Sequence, residues 1–112
     1  MTRFTVENWL RFRTHNKKTT TRIKPLKLGI HKCLGGPYYT PIRLGKVEVG
    51  RVMFEKSVSQ LTAEDAIYDG FDTLCEYLLE LAHRNPRLTT QTTVYIQPAK
   101  VVEDVYSGLD SK

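Results

Sequence analysis

Leu61-Thr62-Ala63-Glu64-Asp65-Ala66-Ile67-Tyr68-Asp69-Gly70-Phe71 is the stretch that decides how the chain is read. Thr62 suits a helix N-cap, because its hydroxyl can accept a backbone N–H left over in the first turn. Glu64 and Asp65 set negative charge against the positive end of the helix dipole. Gly70 stops the helix early, since glycine takes the left-handed conformation without a Cβ clash. Asp72 is expected to cap a second helix, whose Leu74, Tyr77, Leu78 and Leu81 recur at helical spacing and form a buried stripe. His83, Arg84, Asn85 and Pro86 end it, with basic side chains in the last turn and a proline beyond.

Outward from this pair of helices the signals become extended. Thr92-Thr93-Val94-Tyr95-Ile96 reads as a strand, with Pro98 breaking it or placing it at an edge. Residues 46–49 and 51–58 read as strands, with Gly50 bending or bulging between them. Residues 24–41 read as loop, punctuated by Pro25, Gly29, Gly35-Gly36-Pro37 and Pro41. Lys17-Lys18-Thr19-Thr20-Thr21-Arg22-Ile23 favours a strand through its threonines. Before it, Thr5 can cap a short helix carrying Val6, Glu7, Trp9, Leu10 and Phe12, and Asn16 suits a left-handed stop. Strands flanking two central helices give an α+β fold, a small sheet or barrel with a short N-terminal helix packed on it. Residues 1–102 are expected to form one domain, and the polar residues 103–112 a frayed tail.

The bulk numbers fit that size. The chain has 112 residues, 40% hydrophobic and 26% charged, which suits one globular domain. It has no apolar run of about 18 residues, as a membrane span needs, and no secretory leader, so a cytoplasmic location is expected. Cys33 and Cys75 are too few for a disulfide framework and read as free, buried thiols. His31 and Cys33 do not complete a metal tetrahedron, so no metal and no cofactor are expected. Residues 1–56 hold 13 lysines and arginines against 3 acids, and residues 57–112 hold 4 against 9. One-sided basicity favours a polyanionic partner, RNA first and DNA second, although solubility alone also selects a basic surface.

The order of motifs resembles the ASCH family, relatives of the PUA fold, over roughly residues 4–97. A short helix leads into Lys-x-x-Thr-x-Arg, here Lys17, Thr20 and Arg22. Strands follow, then Leu-Thr-x-Glu-Asp-Ala ending in acidic-Gly-Phe, here Asp69-Gly70-Phe71. A leucine-rich helix and a Thr-Val-Tyr-Ile strand close the pattern. The resemblance implies a β-barrel with helices on its outside, a central cleft, and binding of RNA or a modified nucleoside. It also implies a possible amidohydrolase acting on acetylated cytidine, its lysine, threonine and acid falling on Lys17, Thr20 and Asp69. The chain departs from the family at two places. His15-Asn16 stands where a glycine usually precedes the lysine, and the acid is aspartate, one methylene short of the usual glutamate.

Amide hydrolysis needs a nucleophile, a base and a donor for the oxyanion. Thr20 can supply or position the hydroxyl, Lys17 can act as base if its pKa is lowered, and Asp69 can orient the lysine or shuttle a proton. Arg22 suits a carbonyl or phosphate oxygen. The pleat imposes a condition: Lys18, Thr20 and Arg22 share one face of a regular strand, and Lys17, Thr19 and Thr21 the other. Lys17 joins Thr20 only if it lies where the pleat has not begun.

For nucleic acid, Tyr38 and Tyr39 stand among Lys27, Lys32 and Arg43, with Lys18 and Arg22 on the strand. Tyrosine faces stack on unpaired bases while cations meet phosphates, though either ring can equally cap the end of a barrel. Two alternatives stay open beside the hydrolase: a metal-independent ribonuclease in the same cleft, and a binding module without catalysis.

Overall fold

The computed structural model describes residues 1–106. In chain order these form β1 (Thr2–Arg3), α1 (Val6–Thr14), β2 (Thr19–Arg22), β3 (Gly29–Gly35), β4 (Ile42–Val49), β5 (Phe54–Ser57), a 3-10 turn (Val58–Gln60), α2 (Ala63–Tyr68), α3 (Leu74–Arg84) and β6 (Thr93–Asp104).

β6 is the spine. Its 12 residues pair antiparallel with β2, β5 and β4. From β4 the sheet continues to β3 and then to β1, which runs parallel to β3. The resulting mixed sheet curls into a half-barrel, and with three α-helices it makes a small α+β unit. Among the described residues no pairing joins β1 to β2, so the expected barrel is left open.

Pro98 neither ends β6 nor lies at its edge. The Pro98 carbonyl accepts from Gly50 N at 2.9 Å and the Ile96 carbonyl from Met53 N at 2.7 Å, so even-numbered residues of β6 face the β4–β5 side. The N–H that Pro98 lacks would point at the connection between β4 and β5, where the ladder is interrupted and no donor is required. Strand pairing then runs on to Asp104, beyond residue 102 where fraying was expected, because β4 covers it. Residues 107–112 of the expected tail lie outside the described residues. Gly45 permits this pairing: its φ is 144°, and a Cβ there would lie 1.9 Å from the Glu103 carbonyl oxygen.

β3 corrects the reading of residues 24–41 as loop. Its composition is poor for a strand, yet β4 on one side and β1 on the other supply its backbone partners. Tertiary pairing overrides local propensity here. Similarly, β4 begins earlier than residue 46 and β5 is confined to Phe54–Ser57.

The helices follow their caps. Thr5 Oγ1 accepts from Asn8 N at 3.0 Å, and Asn16 ends the turn after α1 with φ 52°. Thr62 and Asp65 form a reciprocal capping box on α2. α3 is capped by Thr73, not Asp72; the Thr73 hydroxyl accepts from Glu76 N at 3.1 Å. α2 and α3 gather one apolar cluster with Val58, Phe71, Val94 and Ile96. α1 gathers the other, in which Trp9 is fully buried edge-on to Phe4 and Phe12 and packs with Leu44, Val47 and Val49. Cys33 belongs to that second cluster, and burial pushes its thiol up to about 11, against the pull of Arg22. Cys75 is exposed, not buried as expected.

Candidate functional site

The segment near residue 18 folds against the turn near residue 70. Lys18 N donates to the Tyr68 carbonyl at 2.7 Å, and the Arg11 guanidinium donates to the Gly70 carbonyl at 2.8 Å. Gly70 makes the approach possible: its φ is 88°, and a Cβ there would lie 3.0 Å from Arg11 Cβ and 3.1 Å from Lys17 Cβ.

This contact brings Lys17 to Asp69. The Lys17 ammonium meets Asp69 Oδ1 and, at 3.1 Å, the Asp69 carbonyl; the two side chains are only 2% and 5% exposed. The other carboxylate oxygen accepts from Thr21 Oγ1 at 2.6 Å, and Thr21 Oγ1 also lies 2.6 Å from Tyr77 Oη. Since Thr21 spends its proton on Asp69, Tyr77 must donate to Thr21. Burial pushes the Tyr77 phenol up, which keeps that proton in place. Burial, then the positive charges of Arg84, Arg22 and Arg11, push the Lys17 ammonium down, and Glu80 opposes them. Contact with Asp69 favours the charged form.

Thr20 is absent from this chain of bonds. It pairs across the sheet with Gln97, and Thr21 with Ile96. Ile96 packs in the α2–α3 cluster with Tyr77, whereas Gln97 grips Leu26 and Gly50. The pleat therefore turns Thr20 away from Asp69, and Thr21 takes the position beside the carboxylate.

Beside Thr21 lies a cleft of about 920 Å³, lined by residues 3–7 of the N-terminal segment, residues 21–26 after and including the end of β2, Gly36, Tyr38, and residues 83–85 at the end of α3. Arg3, Arg22, Lys24 and Arg84 bring positive charge to it, with His83 beside them; Glu7 is its acid. Arg22 Nη2 donates to the Arg3 carbonyl at 2.8 Å, and its guanidinium stands 4.9 Å from the centre of the Phe4 ring. Burial, and then the charge of Arg84, bring the Arg22 guanidinium down to about 10. Arg84 faces Glu80 at 3.6 Å. The Nε of Arg22 is buried without a hydrogen-bond partner, whereas the buried Nε of Arg84 is the atom that faces Glu80 Oε2.

Of the residues read as ligand-binding, Arg22 and Tyr38 line this cleft. Tyr38 is 84% exposed, with the Arg3 guanidinium 4.3 Å from its ring centre. Lys18 lies instead beside a second, smaller hollow with Lys100 and Glu48. Lys27, Lys32, Tyr39 and Arg43 are exposed and line neither hollow. Arg3, Lys24, His83 and Arg84 were not singled out from the sequence. A basic residue in the last turn of a helix is already explained by the dipole, so Arg84 carried no further signal there.

The Thr21 hydroxyl is held between a phenol and a carboxylate, and the residue borders the cationic cleft while being only 1% exposed. The cleft is suited to an anionic ligand with a flat apolar part. Among the described residues no three His, Cys, Asp or Glu side chains gather as a metal site, and no helix is long and apolar enough to cross a membrane. Compared with protein-family models, curated proteins and solved structures, the chain matches none of them.

Proposed function

We propose that this chain is an ASCH-like domain that binds RNA or a modified nucleoside in the cleft between β2, the N-terminal segment and the end of α3. The supporting observation is the convergence of Arg3, Arg22, Lys24 and Arg84 with the exposed face of Tyr38 around one hollow. Cations there meet phosphate oxygens, and Tyr38 offers a stacking face for an unpaired base. A fluorescence-anisotropy titration with a short single-stranded RNA tests this. Affinity is expected to fall steeply between about 50 and 200 mM salt, as counterions leave the phosphates. Tyr38→Ala should weaken binding by roughly tenfold, the effect of one lost stacking contact of about 1–3 kcal/mol. Binding of DNA in preference to RNA would redirect the reading, and salt-insensitive or absent binding would end it.

A second reading, removal of an N-acyl group from a modified cytidine, is favoured by one observation: Thr21 lines the cleft while touching Asp69. In this reading Thr21 Oγ1 aims or delivers the attacking oxygen, Asp69 receives its proton, and Lys17 holds the carboxylate in place. The water oxygen joins the acyl carbon, the amide C–N bond breaks, and Asp69 passes the proton it received to the departing nitrogen, releasing acetate and the neutral cytidine amine. Thr21→Val should abolish acetate release from acetylated cytidine, with Thr20→Val far less damaging. The reverse order would restore Thr20 as the working hydroxyl. No release by wild-type protein would leave a binding domain. Cleavage of RNA in chelator, lost in Arg22→Gln, would favour a ribonuclease.

A further inference from the structure

The second hollow, of about 560 Å³, opens where β2 stops covering β6. The last rung between the two strands is Ala99 N donating to the Lys18 carbonyl at 2.9 Å, and Asn16, with φ 52°, turns the chain toward α1. Lys18 N, which would complete that rung, donates instead to the Tyr68 carbonyl at 2.7 Å. Alternate residues of a strand send their backbone groups to the same side, so Val101 N–H faces the side that Ala99 N–H faces. There β2 has ended, and β6 keeps only β4 as its neighbour at Val101. Among the described residues, the Ala99 carbonyl and the Val101 N–H therefore have no backbone partner on this edge. Phe12, Val49, Ala99 and Val101 give the hollow an apolar wall. Lys18, Lys100 and Glu48 stand exposed at its rim. Glu48 lies directly opposite Lys100 in the ladder, while Lys18 makes no ion pair among the described residues.

We propose that this hollow docks the C-terminal end of an extended peptide whose last side chain is apolar. An open stretch of strand edge is answered by another extended backbone, which adds to the sheet as a further strand. The apolar wall takes one side chain, and the volume suits a few residues at most. Two lysines against one acid leave a positive balance at the rim, which a terminal carboxylate answers and an internal stretch of peptide does not. A phosphate backbone would engage the lysines but leave the edge and the wall unused. The docking site stands apart from the cleft, with which it shares no lining residue, and does not rest on the nucleoside reading.

Fluorescence anisotropy of the full chain with a dye-labelled pentapeptide ending in leucine tests this, with the same peptide carrying a C-terminal amide as control. The acid form is expected to bind at least tenfold tighter than the amide form. Lys18→Gln, at an exposed position, should weaken the acid form at least fivefold and leave the amide form within twofold. Backbone NMR shifts on binding should centre on Gly50 and Val101. Equal affinity for the two forms, or no binding of either, would overturn the docking site and leave the reading of the cleft untouched. Free leucine binding as tightly as the pentapeptide would overturn it in favour of an amino-acid pocket. Displacement of the peptide by a short single-stranded RNA would overturn it by assigning the hollow to the nucleic-acid surface. A dimer in sedimentation that Lys18→Gln dissolves would overturn it by giving the hollow to a second copy of the chain.

Discussion

Lys17 and Asp69 form the most consequential side-chain pair in the molecule, since each buries a charge that the other answers. Lys17→Met leaves the carboxylate with the Thr21 hydroxyl as its remaining side-chain donor, and is expected to cost about 3–5 kcal/mol. Urea unfolding measures this; a loss below about 1 kcal/mol would mean that water reaches the carboxylate. The pair also warns against reading loss of activity in a Lys17 variant as chemistry unless the variant is shown to fold. Asp104 offers a pH test. Burial pushes its carboxyl up, but hydrogen bonds from Arg13 and Trp9, with the Arg13 charge, hold it below its ordinary value. A depressed carboxyl pKa stabilises the fold above its unfolded value, and the contribution fades as pH falls through the folded one. Asp104→Asn should therefore lower the Tm at pH 7, and the gap from wild type should close below about pH 4. A gap that widened in acid would contradict the assignment. At this scale the pairing of Lys17 with Asp69 was implied by the family resemblance, and the alternation of the pleat already grouped Lys17 with Thr21. The choice of Thr20 came from the resemblance, and strand geometry turned it away.

Caps and stops drew the helices at the level of elements, with one displacement that can be checked. Thr73, not Asp72, closes the first turn of α3. Thr73→Ala should cost about 1 kcal/mol, whereas Asp72→Ala, at an exposed site, should stay within about 0.5 kcal/mol. Chemical denaturation of the two variants distinguishes them, and equal losses would place the cap at both. Adjacent Asp and Thr are both good caps, so sequence leaves this choice to the backbone's path out of Gly70. β3 shows the opposite situation. Its glycines, histidine and lysine give no alternating pattern, and it is a strand because β1 and β4 flank it. β6 was half legible: its start reads as β-branched and aromatic, but its passage through Pro98 depends on which neighbour each side faces.

Across the whole molecule, charge and shape part company. The basic half of the chain spreads its cations widely, and Lys27, Lys32 and Arg43 lie outside the cleft. Lys32→Glu should lower RNA affinity by less than tenfold at 50 mM salt and by less still at 200 mM, while leaving nucleoside affinity unchanged, because it acts only through the long-range field. A loss of nucleoside binding would mean that β3 contributes to the site directly. The amino-acid sequence by itself determined the α+β class, the three helices with most of their caps, and the basic asymmetry. These rest on local rules, periodicity, capping chemistry and composition, whereas the pairing of residue 17 with residue 69 was implied only by the family resemblance. Only the tertiary structure decided that the sheet stays an open half-barrel, that Thr21 faces the carboxylate, and that Arg3 and Arg84 join Arg22 in one hollow. Those outcomes depend on where elements far apart in the chain come to rest, and no window of neighbouring residues encodes the distance between β2 and the end of α3.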